Sequence, residues 1–253
     1  MIGHPRSGTA YVSQLVNCAG REVSAHEFLV GARPELVAAA TAFYEGRLDA
    51  DAIDGLLDGY ADAARAGVRL DCNWKLTWIL PRLLARFPRA RIVHLVRDPF
   101  TNVRACLDLD YYGGRAHPDA PLRNLWLQAM PRIDRPDWPG LDQLERNCAF
   151  WAESHRLALR VRASSRPYLR VRLEDLANDA AVARLLTFLG VPLPPPWRLE
   201  RARRAPANAK AAEKEAVASL RAPSPPFELW PPAERAAVER LCGELRRGFG
   251  YAG

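Results

Sequence analysis

The sharpest signal along the chain is a short apolar run, R-I-V-H-L-V at 91–96, which ends at R-D-P. Its length and β-branched content predict a buried parallel strand. A second run, Y-L-R-V-R-L at 168–173, alternates apolar and basic positions and predicts a strand nearer a sheet edge. Weaker strand signals lie in R-E-V-S at 21–24 and V-R-L-D-C at 68–72. Between them apolar residues recur every three to four positions, which predicts helices at 9–19, 51–66, 78–87, 101–109 and 141–161. A helix at 180–189 is stopped by Gly190 and Pro192, and a last one follows Pro231-Pro232 and runs to about residue 247. Strands alternating with helices predict an α/β fold: a parallel sheet flanked by helices, in one domain spanning 1–253. Two stretches break the pattern. Residues 111–140, rich in Gly and Pro, read as a lid or substrate loop, and 191–226 as an irregular proline-rich segment around a basic run.

Composition changes this picture little. Of the 253 residues, 49% are hydrophobic and 26% charged, ordinary for a globular chain. No apolar run is long enough to span a bilayer, and no basic-then-apolar leader opens the chain, so a cytoplasmic protein is expected. The five cysteines are scattered and form no C-x-x-C pair, which argues for reduced thiols rather than a zinc site or disulfide framework. The net charge of +7 is carried almost wholly by arginine; the lysines are Lys75, Lys210 and Lys214. That excess suits an anionic ligand. The arginines are spread along the whole chain and no nucleic-acid motif accompanies them, so no nucleic-acid partner is expected.

The candidate chemistry begins at G-H-P-R-S-G-T, Gly3 to Thr9. Gly3 and Gly8 have the separation of a phosphate-binding loop, but Thr9 and Ala10 stand where a nucleotide triphosphatase has lysine and a metal-binding hydroxyl. The cation has moved inside the loop, to Arg6. A helix follows, so amides and a helix N-terminus can still cradle an anion. Such a loop suits a ligand less charged than ATP, with no metal required, and a phosphosulfate fits. Only Met1 and Ile2 precede Gly3, so either the strand leading into the loop is cut short or the chain begins upstream.

On these residues the loop resembles the 5′-phosphosulfate loop of the sulfotransferases that use 3′-phosphoadenosine 5′-phosphosulfate (PAPS), with PAP as product. The resemblance implies a P-loop-NTPase-like sulfotransferase fold, with Pro5, Arg6, Ser7, Gly8, Thr9 and Ala10 around the phosphosulfate. R-D-P-F-T-N-V-R-A-C-L, from Arg97, is similar to the family's 3′-phosphate motif. Arg97 matches its arginine, while Ala105 replaces its serine. The alternative for Arg97 is an ion pair with Asp98. L-E-D-L from Leu173, F-L-G-V-P from Phe188 and the closing G-F-G-Y extend the likeness over nearly the whole chain, with Glu174 and Asp175 expected to be structural. The run from Arg201 to Lys210 is the candidate for a basic loop returning to the 3′-phosphate, or else a solvated surface loop.

The acceptor hydroxyl needs a base. Where the cytosolic branch has K-x-H, this chain reads K-L-T: Lys75 is kept and the histidine is Thr77. H-E-F-L, from His26, is similar to a Q-E-F-F-like segment of the bacterial carbohydrate or trehalose-type branch. This favours Glu27 as base, with His26 second and His94, His117 and Asp71 as further alternatives. Lys75 and Arg6 complete the expected catalytic set; the bland reading of Lys75 is a surface lysine. Trp74 and Trp78, four residues apart, are expected to pack in the core. The acceptor expected is a small molecule or carbohydrate bearing a hydroxyl. Two other readings stay open: a P-loop kinase or NTPase, and a non-catalytic nucleotide-binding chain of the same fold.

Overall fold

A computed structural model describes residues 1–19, 24–26, 34–48, 51–58 apart from 52 and 56, 70–114, 127–162, 164, 166–204 and 226–251; at 25, 26 and 34–37 it describes the backbone alone. In chain order the elements are β1 (Ile2–Gly3), α1 (Thr9–Asn17), β2 (Ser24–His26), α2 (Pro34–Tyr44), β3 (Leu70–Cys72), α3 (Leu80–Arg86), β4 (Ile92–Val96) and α4 (Pro99–Leu107). Then come α5 (Gln143–Arg162), β5 (Tyr168–Arg172), α6 (Asp179–Leu189), α7 (Pro196–Arg204) and α8 (Pro232–Gly248). A 3-10 turn at Trp74–Thr77 leads from β3 towards α3, and another at Glu174–Ala177 follows β5.

All strand pairs are parallel, as the alternation predicted. β4 is buried at every position and lies between β1 and β5, with Ile2 opposite His94 and Val96 opposite Arg172. β2 pairs with β3, His26 opposite Cys72. Two backbone bonds tie these pieces together: the Met1 amine donates to the Asp71 carbonyl at 2.6 Å, and the Asn73 amide donates to the Met1 carbonyl at 3.2 Å. The spatial order is therefore β2-β3-β1-β4-β5. From β1 the chain crosses to one side of the sheet and from β4 to the other, so the crevice beyond their carboxyl ends is the topological switch point.

Alternation along β4 divides the core into two layers. Val93 and Leu95 face Val12, Leu15 and Val16 of α1 and Leu185 and Leu186 of α6. The opposite face meets α5, whose Phe150 and Trp151 are fully buried. Each buried aliphatic side chain contributes about 1.5–3 kcal/mol by leaving water, so these rows hold the layers together.

Element ends differ from the sequence reading where local chemistry intervenes. The helix expected at 78–87 is found as Leu80–Arg86, with Pro81 in its first turn; it is preceded by the 3-10 turn, which Asn73 caps by accepting from the Lys75 amide at 3.1 Å. In the described ends of the expected lid, 111–114 and 127–140, Tyr111, Met130, Ile133 and Trp138 are buried in the core while Gly114, Asp134 and Asp137 are exposed; 115–126 lie outside the described residues. The segment after Val191 contains a helix, α7. Pro196 at its first position costs no hydrogen bond, and Leu199 and Ala202 bury its inner face. All five cysteines are free thiols. No described helix is long and apolar enough to cross a membrane.

The core also holds a chain of polar rings. His94, in the middle of β4, has Nδ1 2.5 Å from the Tyr168 hydroxyl and Nε2 2.7 Å from Nδ1 of His155 on α5. His4 sits 6.4 Å from His155, centroid to centroid, and its Nδ1 is 2.8 Å from the Pro5 carbonyl, to which it must donate. Burial is the main cause holding all three imidazoles neutral: His4 and His94 are pushed down to about 3, and His155 well below its ordinary value. The unfolded chain would bind protons at these sites near pH 6.5 and the folded chain only far lower, so stability is present above that value and lost as pH falls towards 3. The melting temperature should decline progressively as pH falls below about 6.5; a flat profile from pH 5 to 8 would contradict neutral burial.

Candidate active site

The loop from His4 to Gly8 lies at the switch point. It closes with a Ser7 amide to His4 carbonyl bond of 3.2 Å. Two residues take left-handed backbone: Arg6 at φ 64° and Gly8 at φ 94°. Gly8 needs its lack of a side chain twice over, because a Cβ there would come within 2.6 Å of Leu173 Cδ1. The first intrahelical bond of α1 runs from the Val12 amide to the Gly8 carbonyl at 3.0 Å. The amides before it belong to the helix N-terminus, the end that favours negative charge. No acidic residue occupies that first turn.

Three side chains hold the loop from outside. Asn102, fully buried on α4, donates from Nδ2 to the Pro5 carbonyl at 3.2 Å and to Ser7 Oγ at 3.3 Å. Arg97 donates from a terminal nitrogen to the Arg6 carbonyl at 2.9 Å. Cys106 lies beneath, its sulfur 4.0 Å from the Pro5 carbonyl and its thiol pushed up to about 12 by burial. At the base of the loop, Thr77 Oγ1 accepts from the Gly3 amide at 3.1 Å and donates to the Gly3 carbonyl at 2.8 Å. A single hydroxyl thus satisfies both backbone groups of the last residue of β1. The position that lacks the family-type histidine is a structural clamp.

Two cations converge here without a counter-ion among the described residues. Among the described residues no carboxylate forms an ion pair with Arg6 or Arg97, and Arg6 Nε is buried without a partner. Asp98, the sequence candidate for pairing with Arg97, instead bonds Arg246 Nε at 3.2 Å and caps α4 at the Phe100 amide. Burial pushes the Arg97 guanidinium below its ordinary value; nearby Glu174 opposes this and the neighbouring Arg6 charge adds to it. Two guanidiniums so placed are a local excess of positive charge that an anion would relieve.

The L-E-D-L segment supports this arrangement. Leu173 presses on Gly8, and the Leu173 amide bonds the Val96 carbonyl at 2.8 Å. Glu174 accepts from the Asp98 amide at 3.1 Å and from the Tyr251 hydroxyl at 2.6 Å. Asp175 is clamped by Arg172 at 2.6 and 3.0 Å. The two acids are therefore braces linking the closing G-F-G-Y to the start of α4.

Lys75 is not a surface residue. It is fully buried on the 3-10 turn that carries Thr77, with its ammonium 5.6 Å from the Trp74 ring centroid. Trp74 and Trp78 both pack on Phe150, Trp78 stacked at 5.3 Å. Ser7 is fully buried with Asn102 beneath it, Thr9 is nearly buried at the start of α1, and Ala10 is half-buried. Ala105 is half-buried on α4. His26 ends β2, at the same carboxyl edge of the sheet as the loop, while Glu27 and His117 lie outside the described residues. His94 is fully buried inside the ring chain. In the basic run, Arg203 and Arg204 belong to α7 and pair with Asp179 at 2.7 Å and Glu200 at 3.3 Å; residues 205–210 lie outside the described residues. Sequence reasoning missed Asn102. Its only trace is a polar residue on the inward face of a helix start, next to a loop whose carbonyls need donors.

The described elements can be set against known proteins. No family model matches the chain, and no curated protein does. Among solved structures it is similar to a sulfotransferase domain from the curacin biosynthetic pathway, at 15% identity and a TM-score of 0.54, covering 96% of this chain and 95% of that one. The chain thus has the fold of a sulfotransferase domain: mixed α/β, with a small parallel sheet flanked by helices.

Thr77→Val keeps the shape and removes both bonds to Gly3. Leaving buried backbone groups unpaired should cost about 1–3 kcal/mol in urea unfolding, and Thr77→Ser should recover most of it. Equal stability of the valine variant and the parent would show that the clamp carries nothing.

Proposed function

We propose that the protein transfers a sulfuryl group from PAPS to a hydroxyl on a small-molecule or carbohydrate acceptor, releasing PAP without a metal. The observation that carries this reading is the pair Arg6 and Arg97, both without counter-ions among the described residues, at the switch point of a chain with a sulfotransferase-domain fold. The buried Arg6 Nε without a partner and the glycine at position 8 fit a phosphosulfate. The donor would supply an activated sulfuryl group; the chain's own residues bind, orient and move the proton.

In this reading Pro5, Arg6, Ser7, Gly8, Thr9 and Ala10 hold the 5′ side. Arg6 and the first amides of α1 neutralise charge on the bridging phosphate oxygen as it builds, an electrostatic contribution a preorganised loop makes without rearranging. Arg97 takes the 3′-phosphate, with Ala105 supplying no hydroxyl and so one hydrogen bond fewer. Glu27 removes the acceptor proton, with His26 as the second candidate. Lys75 is a compact charge held beside β1 by the turn that clamps Gly3. The H-E-F-L segment supports placing the chain nearer the carbohydrate or trehalose-type branch than the cytosolic aryl branch. Against a P-loop kinase or NTPase stand Thr9 and Ala10, which supply neither the lysine nor the metal-binding hydroxyl.

Arg6→Ala should abolish transfer of radiolabelled sulfate and weaken PAP binding measured by calorimetry without magnesium. Retained PAP affinity would remove Arg6 from the site, and stabilisation by ATP only with magnesium would favour the kinase reading. Glu27→Gln should leave PAP binding unchanged and lower turnover by about 10² or more. Unchanged turnover would move the base to His26, to be checked with His26→Gln. Intact PAP binding with no transfer to any hydroxyl acceptor would favour a non-catalytic chain.

A further inference from the structure

A second basic site lies on the outer edge of the sheet. Residues 168, 170 and 172 of β5 point to the same side of the strand. With the ends of α5 and α8 and with Arg184 of α6 they line a cleft of about 520 Å³. Four arginines face it: Arg162, Arg170, Arg172 and Arg184, against one acid, Asp175. Asp175 is already committed to Arg172 through two hydrogen bonds, so three positive charges are left without an acidic partner among the described residues. Arg162 and Arg184 are exposed and form no ion pair among the described residues.

The cleft is built rather than incidental. Arg170 stacks on Phe249 at 5.3 Å and donates to the Gly248 carbonyl at 3.2 Å. Arg172 donates to the Gly250 carbonyl at 2.7 Å. Tyr168 is held from behind by His94 at 2.5 Å, and burial keeps its phenol protonated, pushed up to about 12. These contacts fix an aromatic floor and two guanidiniums before any ligand arrives, leaving two unpaired arginines at the rim. Guanidinium forks match phosphate and sulfate oxygens bidentately, and preorganisation lowers the entropy lost on binding. Neither Arg6 nor Arg97 lines the cleft.

We propose that this cleft binds a compact polyanion carrying at least two phosphate or sulfate groups. Three uncompensated cations exceed the charge of about −2 that a single phosphate group carries. The site is independent of the sulfuryl-transfer reading and stands or falls without it.

Tripolyphosphate, titrated calorimetrically at low ionic strength into the Arg6→Ala chain, tests the cleft with the loop site disabled. One tripolyphosphate should bind per chain, and adding R162Q and R184Q, both exposed and unpaired, should weaken it at least tenfold. No binding by the Arg6→Ala chain, or an affinity that the two glutamines leave unchanged, would overturn the proposal. Orthophosphate binding as tightly as tripolyphosphate would overturn the requirement for more than one anionic group.

Discussion

A strand of two residues cannot hold itself in a sheet by its ladder, yet β1 delivers the loop on which the site depends. The fold answers with side chains. Thr77 bonds both polar groups of Gly3, and the Met1 backbone exchanges bonds with Asp71 and Asn73. Because the same 3-10 turn carries Thr77 and Lys75, the clamp that fixes the strand also fixes a buried lysine beside it. Stability and placement at this corner are one set of interactions.

From that anchor the charge arrangement follows. Arg6 enters from the loop and Arg97 from the end of β4, and the acid that could have neutralised them, Asp98, is turned to Arg246 by α8. Glu174 in turn is occupied by the Asp98 amide and Tyr251. α8 and the residues after it therefore keep Asp98 and Glu174 engaged elsewhere, and among the described residues Arg6 and Arg97 have no carboxylate ion-pair partner.

The parts of the fold legible in the sequence were those with strong local periodicity: β4, β5, α1, α5 and α8. β5 showed its edge position through alternating arginines. The loop and Arg97 were legible because glycine spacing and an arginine at a strand end are local signals. Three features were not. Thr77 reads as a missing histidine, and only the third dimension brings its hydroxyl to Gly3. The Gly- and Pro-rich stretch after Tyr111 reads as a lid, because nothing local reveals that Met130, Ile133 and Trp138 fill the core. The proline cluster near 194–196 hid α7, since proline at a first helical position looks like a breaker until the buried Leu199 and Ala202 are seen.

Cys106 draws one further consequence from its place below Pro5. A thiol so buried and so resistant to ionisation is chemically silent while the loop is seated. It can meet an alkylating reagent only when the packing around it opens. Its modification rate therefore reads local opening at this corner of the fold, without any knowledge of the acceptor.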